Sequence, residues 1–222
     1  MLFQSPPLFI TFEGGEGAGK STQLKRLSTY FSEKNLPHLV TREPGGTALA
    51  EKIRTLLVTG KADAMDPLTE YLLFSAARRD HIEKVIKPSL SQGSWVLCDR
   101  FYDSSYVYQG LSPKKEQALD LSFMDRVYKE IAGPDFAPDL TFVFDIDPKI
   151  GLERVEKRST SSDDRKMAQE DRFESKGLDF HNRIRQGFLK IQASNPRRCC
   201  LIDATQPPEQ TFHHIRSILE EL

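Results

Sequence analysis

The sequence predicts an α/β protein: one parallel sheet of five strands, flanked by helices, with a glycine loop at its first strand–helix junction. Two observations carry this. Short apolar runs rich in β-branched and aromatic residues alternate with stretches of helical pattern, which is the signature of βαβ units. The first such unit contains Gly14-Gly15-Glu16-Gly17-Ala18-Gly19-Lys20-Ser21, which satisfies G-x-x-x-x-G-K-[ST]. With 222 residues the chain is long enough for one core of its own, and no Pro/Ser/Gly-rich linker divides it. Residues 1–222 therefore read as a single domain.

Taken in order, the strands are expected at Leu8–Phe12, His38–Arg42, Trp95–Cys98, Leu140–Asp145 and Cys199–Ile202. Helices are expected at Lys20–Glu33, Leu49–Val58, Thr69–Ile86, Lys114–Ile131, Lys149–Lys157, Phe180–Ala193 and Glu209–Leu222. Pro44-Gly45-Gly46 and Gly133-Pro134 mark turns, and Pro88 should disturb the end of the long third helix. Ser159–Arg172 is Ser/Thr-rich, then dense in both charge signs and nearly free of apolar residues. It reads as an exposed mobile segment, and beside a phosphate site such a segment serves as a lid.

Composition narrows the function classes. Lys and Arg total 31 against 32 Asp and Glu, a net charge of −1, which gives no bulk attraction to nucleic acid or an acidic membrane. There is no apolar run of membrane-spanning length and no signal-peptide pattern at Met1–Pro7, so a soluble cytoplasmic protein is expected. Cys98, Cys199 and Cys200 lack C-x-x-C spacing and lie in or beside strand-like runs, as buried free thiols do. The histidines at 38, 81, 181, 213 and 214 show no metal-ligand spacing.

The chemistry starts at the glycine loop, the P-loop of nucleotide-binding proteins. Its glycines let successive N–H groups turn toward phosphate, and the helix that follows adds unpaired donors and partial positive charge. Gly14, Gly15, Gly17, Ala18, Gly19, Lys20, Ser21 and Thr22 form the expected nucleoside-triphosphate-binding set. Lys20 would reach the β/γ-phosphates and the Ser21 hydroxyl would hold Mg²⁺. Further polar groups fall at the carboxyl ends of later strands, where open α/β sheets bind ligands. Asp99 ends the third, where a carboxylate can hold Mg²⁺, and Arg100 beside it can grip phosphate oxygens.

Four segments then carry a specific resemblance. Asp99-Arg100-Phe101-Tyr102-Asp103-Ser104-Ser105-Tyr106-Val107-Tyr108-Gln109-Gly110 resembles the D-R-Y-x-x-S-x-x-A-Y-Q-G signature of thymidylate kinases. Thr41-Arg42-Glu43-Pro44-Gly45-Gly46-Thr47 resembles the T-R-E-P-G-G-T element of bacterial members, and Leu73–Arg78 their L-F-x-A-x-R helix. Asp171-Arg172-Phe173-Glu174 is similar to the D-R-[IF]-E that closes their lid. The matches run in the family's order from Gly14 to about Arg185.

The resemblance implies a P-loop NTPase fold of the nucleoside-monophosphate-kinase kind, phosphoryl transfer from ATP to dTMP with Mg²⁺, and a homodimer. Carried over, Phe74 would stack on thymine and Arg78 bond its exocyclic oxygen. Arg42 and Arg100 would bind the acceptor 5′-phosphate, and Glu16 would face the 3′-hydroxyl. Tyr108 would pack against C2′, with Ser105 and Gln109 beside the base pocket. Gly17 stands where some thymidylate kinases carry a catalytic Arg. Members with Gly there bring basic residues in on the lid, here about 158–172, and Arg165 at its middle is the expected finger, with Arg158, Lys166 and Arg172 as others. The chain departs from the signature at Phe101 (for Tyr) and Val107 (for Ala). A different nucleoside-monophosphate kinase shares the P-loop and Asp99-Arg100. A regulatory GTPase would need N-K-x-D and D-x-x-G, and neither string occurs.

Overall fold

The computed structural model describes residues 6–59, 65–111, 117–159, 173 and 176–221. Five parallel strands form one sheet: β1 (Phe9–Gly14), β2 (His38–Arg42), β3 (Trp95–Asp99), β4 (Leu140–Asp145) and β5 (Cys199–Asp203), in the order β2-β3-β1-β4-β5. The central β1 is buried along its whole length, whereas edge strand β2 is half-buried. That contrast follows from Phe, Ile and Thr facing layers on both sides of a central parallel strand. Register brings the carboxyl ends of the strands to one rim: Phe12 pairs with Asp99, Arg42 with Asp99, Gly14 with Phe144 and Asp145 with Asp203. The chain leaves β1 for β2 and β3 on one side and then crosses over β1 to β4 and β5 on the other, so the switch point of the sheet lies at β1, which ends at Gly14.

Nine α-helical segments are described: α1 (Lys20–Glu33), α2 (Ala48–Val58), α3 (Pro67–His81), α4 (Lys87–Ser91), α5 (Tyr102–Ser105), α6 (Leu121–Ala132), α7 (Pro148–Ser159), α8 (Leu178–Ser194) and α9 (Pro208–Glu220). On one face of the sheet Leu24, Leu27 and Phe31 of α1 and Ile215 and Leu219 of α9 pack on Ile10, Phe12, Phe142 and Ile202. On the other, Ile82, Ile86 and Tyr128 cover Phe9, Val96 and Cys98, while Ile184 and Phe188 cover Val143 and Cys199. Side-chain caps set three helix starts. Thr47 Oγ1 accepts from Ala50 N–H, Asp66 from Leu68 and Thr69 N–H ahead of Pro67, and Asp120 from Phe123 N–H.

The structure corrects the expected elements in three places. The helix expected from Lys114 starts at Leu121, because Asp120 caps it there. The helix expected over Thr69–Ile86 is three pieces, α3, a π-helical turn Ile82–Ile86, and α4. Pro88 has no N–H for the Lys84 carbonyl, and the ladder widens just before it, with Lys87 N–H donating to Ile82 O. The segment after Asp99-Arg100 is helical, α5 running into a π turn over Tyr106–Leu111, although its polar-aromatic sequence shows no helical period. Of the expected lid, residues 160–172 and with them Arg165, Lys166 and Arg172 lie outside the described residues. Cys98, Cys199 and Cys200 are free thiols, the first two buried. Among the described residues no helix is long and apolar enough to cross a membrane.

Candidate active site

The site is built around the rim at Gly14. β1 delivers Gly14, the loop turns, and α1 starts at Lys20 with Gly19 left-handed at φ 85°. Gly17, at φ +67°, lies against the backbone of α7. A Cβ on it would sit 2.0 Å from the Gly151 carbonyl oxygen, and a Cβ on Gly151 would sit 2.4 Å from the Glu16 carbonyl oxygen. Glycine at both positions is what lets the loop rest on α7.

Lys20 Nζ folds back to donate to the carbonyls of Gly14 (3.1 Å) and Gly15 (2.8 Å). Burial, then the neighbouring Arg100, depresses its ammonium pKa. Ser21 Oγ donates to Asp99 Oδ2 at 2.8 Å, bringing the two expected metal ligands together. These are hard oxygen donors at the mouth of a phosphate loop, and they fit Mg²⁺ with water completing its shell.

Across β1, Arg100 adopts φ 66°. Its Nη2 donates to Glu16 Oε1 (2.7 Å) and its Nη1 to Gly14 O (3.0 Å) and Ser104 Oγ (3.2 Å). Tyr108, on the π turn, donates its hydroxyl to the same Glu16 Oε1 at 3.1 Å, with the Arg100 guanidinium 5.4 Å from its ring centre. Burial raises the Glu16 pKa, but Arg100 and Lys20 outweigh it and hold the carboxyl down at about 2. Phe173, Phe180 and Phe188 meet the Tyr108 ring edge-on and fix its plane.

A second cluster lies on α3. Arg78 is buried; its Nε donates to Glu43 Oε2 (2.7 Å) and its Nη2 to Ser105 Oγ (3.0 Å) and Phe101 O (3.3 Å). His81 Nδ1 donates to Glu43 Oε1 (3.0 Å), and its Nε2 pairs with the Thr41 hydroxyl (2.7 Å). Phe74 is half-buried one turn before Arg78. Arg42, exposed at the end of β2, donates to Glu51 Oε2 at 3.1 Å, while Gly46 N–H donates to Glu51 Oε1.

The structure therefore brings together Glu16, Lys20, Ser21, Asp99, Arg100 and Tyr108, and ties Ser105 to Arg78. It does not bring Gln109 into that cluster: this residue is buried and donates to Glu70 Oε1 at 2.5 Å. Both departures from the signature turn inward. Phe101 is in the aromatic core against Phe9, and Val107 packs where Gly187 leaves room. Residues that sequence reasoning missed include Glu13, Glu43 and Glu51, which hold the arginines or their loops. A further gap is a cavity of about 370 Å³ between the loop and the turn after β5, lined by Ala18, Thr22, Arg154, Ala204 and Gln206 among others. Its signal was present: Asp203-Ala204 ends a strand on the same rim.

A switch-point phosphate loop with an arginine–carboxylate cluster beside it defines a P-loop phosphotransferase of the nucleoside-monophosphate-kinase type. The family model for thymidylate kinase matches residues 12–215. The chain is 46% identical over 199 residues to the thymidylate kinase of Magnetococcus marinus, covering 90% of this chain and 89% of that one. It is 48% identical over 196 residues to that of Caulobacter vibrioides, covering 88% of each. The crystal structure of thymidylate kinase from Ehrlichia chaffeensis superposes with a TM-score of 0.72 at 36% identity, over 97% of this chain and 99% of that one. The chain belongs to the thymidylate kinase family.

Proposed function

We propose that this protein transfers the γ-phosphoryl group of ATP to the 5′-phosphate of dTMP, giving ADP and dTDP for DNA synthesis. The observation that carries this is the seat of Arg100, 3.0 Å from the P-loop carbonyl of Gly14 and 2.7 Å from Glu16. An arginine for the acceptor phosphate stands directly beside the loop for the donor phosphates.

In this reading the backbone of Gly14–Thr22 cradles the triphosphate and Lys20 exchanges its carbonyl partners for β/γ-oxygens. An oxygen of the acceptor phosphate attacks in line; its bond to the γ-phosphorus forms as the β–γ bridge breaks, and ADP leaves with the electron pair. No side chain acts as nucleophile, and an already ionised phosphate needs no strong base. Catalysis is positioning and charge neutralisation by Lys20, Arg42 and Arg100. Ser21 and Asp99 would hold Mg²⁺, which when bound supplies neutralisation of the charge on the transferring group. Glu16 faces the 3′-hydroxyl, Tyr108 packs against C2′, Phe74 stacks on thymine, and Arg78 with Ser105 reads its exocyclic oxygen. Gln109, fastened to Glu70, fixes the π turn that presents Tyr108. The cavity lined by Arg154 and Ala204 takes the adenine.

We place residues 158–172 over this site as the lid of the single kinase domain, its four basic residues balanced by four acidic ones, with Arg165 as the finger on the β/γ bridge. Gly17 supports that placement, since the contact with Gly151 leaves no room for a side chain there. Alanine at Arg158, Arg165 and Arg172 in turn should cost one variant at least about a hundredfold in kcat; three variants within a few-fold of wild type would refute the lid assignment. Free thiols fit a reducing cytoplasm. A homodimer would bury the apolar face on α2 and α3, where Leu49, Leu56, Leu68 and Leu72 are 42% to 57% exposed. Leu56→Asp with Leu72→Asp should yield a monomer by sedimentation, and an unchanged mass would discard that face.

The experiment for the reaction is ADP production with ATP and Mg²⁺ against dTMP, dUMP, UMP, dCMP, AMP, GMP and no acceptor. Strong preference for dTMP is expected; preference for another monophosphate would overturn the base assignment.

A further inference from the structure

Glu13, one residue before the loop, is fully buried in β1 and takes no part in the proposed reaction. A carboxylate in such a place is costly unless it is hydrogen-bonded, and every bond it makes goes to the turn that carries Arg100. Its Oε1 accepts from Phe101 N–H (2.7 Å) and Ser104 N–H (3.3 Å), and its Oε2 from the Ser104 hydroxyl (2.6 Å). The same Ser104 oxygen accepts from Arg100 Nη1 at 3.2 Å. One residue earlier on β1, the Phe12 carbonyl accepts from Arg100 N–H at 3.0 Å.

Arg100 is thus enclosed by bonds to adjacent residues of one strand. This matters because its φ of 66° lies in the left-handed region, which a side-chain-bearing residue adopts only when its surroundings impose it. That conformation aims the guanidinium at Gly14 and Glu16.

We infer that Glu13 is a positioning residue for the acceptor phosphate: its carboxylate clamps the 101–104 backbone and, through the Ser104 hydroxyl, orients the Arg100 guanidinium. The inference rests on the acceptor-phosphate role proposed for Arg100. It makes β1 a shared ruler, with its last residues setting both the donor-phosphate loop and the acceptor-phosphate arginine.

The test is steady-state kinetics on E13A, E13Q, S104A and R100A, with circular dichroism to establish folding. R100A tests the underlying role and should raise KM for dTMP at least about tenfold with KM for ATP little changed. If it does not, the reading of Arg100 fails on its own account. If it does, E13A should follow it, with KM for dTMP up about tenfold and KM for ATP within about twofold. E13Q keeps an oxygen for the two N–H groups and should stay within about threefold of wild type. S104A should fall between them, and it decides the matter if E13A does not fold. An E13A or S104A that leaves KM for dTMP unchanged, or that raises both KM values alike, overturns the inference, as does an E13Q no better than E13A.

Discussion

Replacing Arg78 by alanine separates what this arginine does for the fold from the base-reading role proposed for it. The side chain is 2% exposed and its partner Glu43 4%, and their bond at 2.7 Å is one of three that Arg78 makes. Glu43 outweighs burial and keeps the guanidinium pKa above its usual value. Truncation leaves Glu43 buried with His81 as its remaining side-chain partner among the described residues, and strands the Phe101 carbonyl and Ser105 hydroxyl. Breaking a buried pair from one side costs about 3–5 kcal/mol. For a domain of this size each kcal/mol lowers Tm by roughly 2–4 °C, so a fall of about 6–20 °C is expected. Urea denaturation of wild type, R78A, E43A and the double variant closes a mutant cycle, and the pair should show coupling of at least about 1 kcal/mol. On folded R78A at low temperature, KM for dTMP should rise at least about tenfold while ATP affinity holds. A stability loss below about 1 kcal/mol would refute the packing argument. Equal loss of ATP and dTMP affinity would place Arg78 outside the base pocket.

Three further outcomes are expected. Burial and the nearby Asp103 push the Glu13 pKa up to about 7 against an ordinary 4.5. The folded state therefore holds that proton more tightly, and stability should decline as pH rises from 4.5 to 7, by about 1–3 kcal/mol; E13Q should lose this slope in urea titrations, and an identical slope would remove Glu13 as its source. Gly17→Arg should lower kcat rather than supply a second catalytic cation, because its Cβ meets the Gly151 carbonyl and its φ is left-handed; wild-type turnover would show that the loop moves freely off α7. Tyr108→Ala should narrow the preference of dTMP over its ribose counterpart, measured as the ratio of kcat/KM values, and an unchanged ratio would remove Tyr108 from sugar selection.

The sequence by itself determined the class of fold, the five strands to within two residues at each end, and the phosphate loop. Strand period, glycine spacing and the order of strand-end polar residues are local properties, and each is written in contiguous residues. The loop motif and the end of the third strand pointed to Lys20, Ser21, Asp99 and Arg100, and the resemblance added Glu16, Arg42 and Tyr108 as expectations. What it did not carry is which residues hold these groups. Glu13 lies 88 positions from Phe101, Glu43 35 from Arg78, and Gly151 far from Gly17, and no periodicity links them. The π turn under Tyr108 was invisible for a related reason: its polar and aromatic residues are placed by packing against α3 and α8 rather than by any helical period of their own. Only when the parallel register brings Gly14, Arg42 and Asp99 to one rim do buried carboxylates meet the arginines they orient. Burial and Coulomb energy act through space, so the tertiary structure alone decided them.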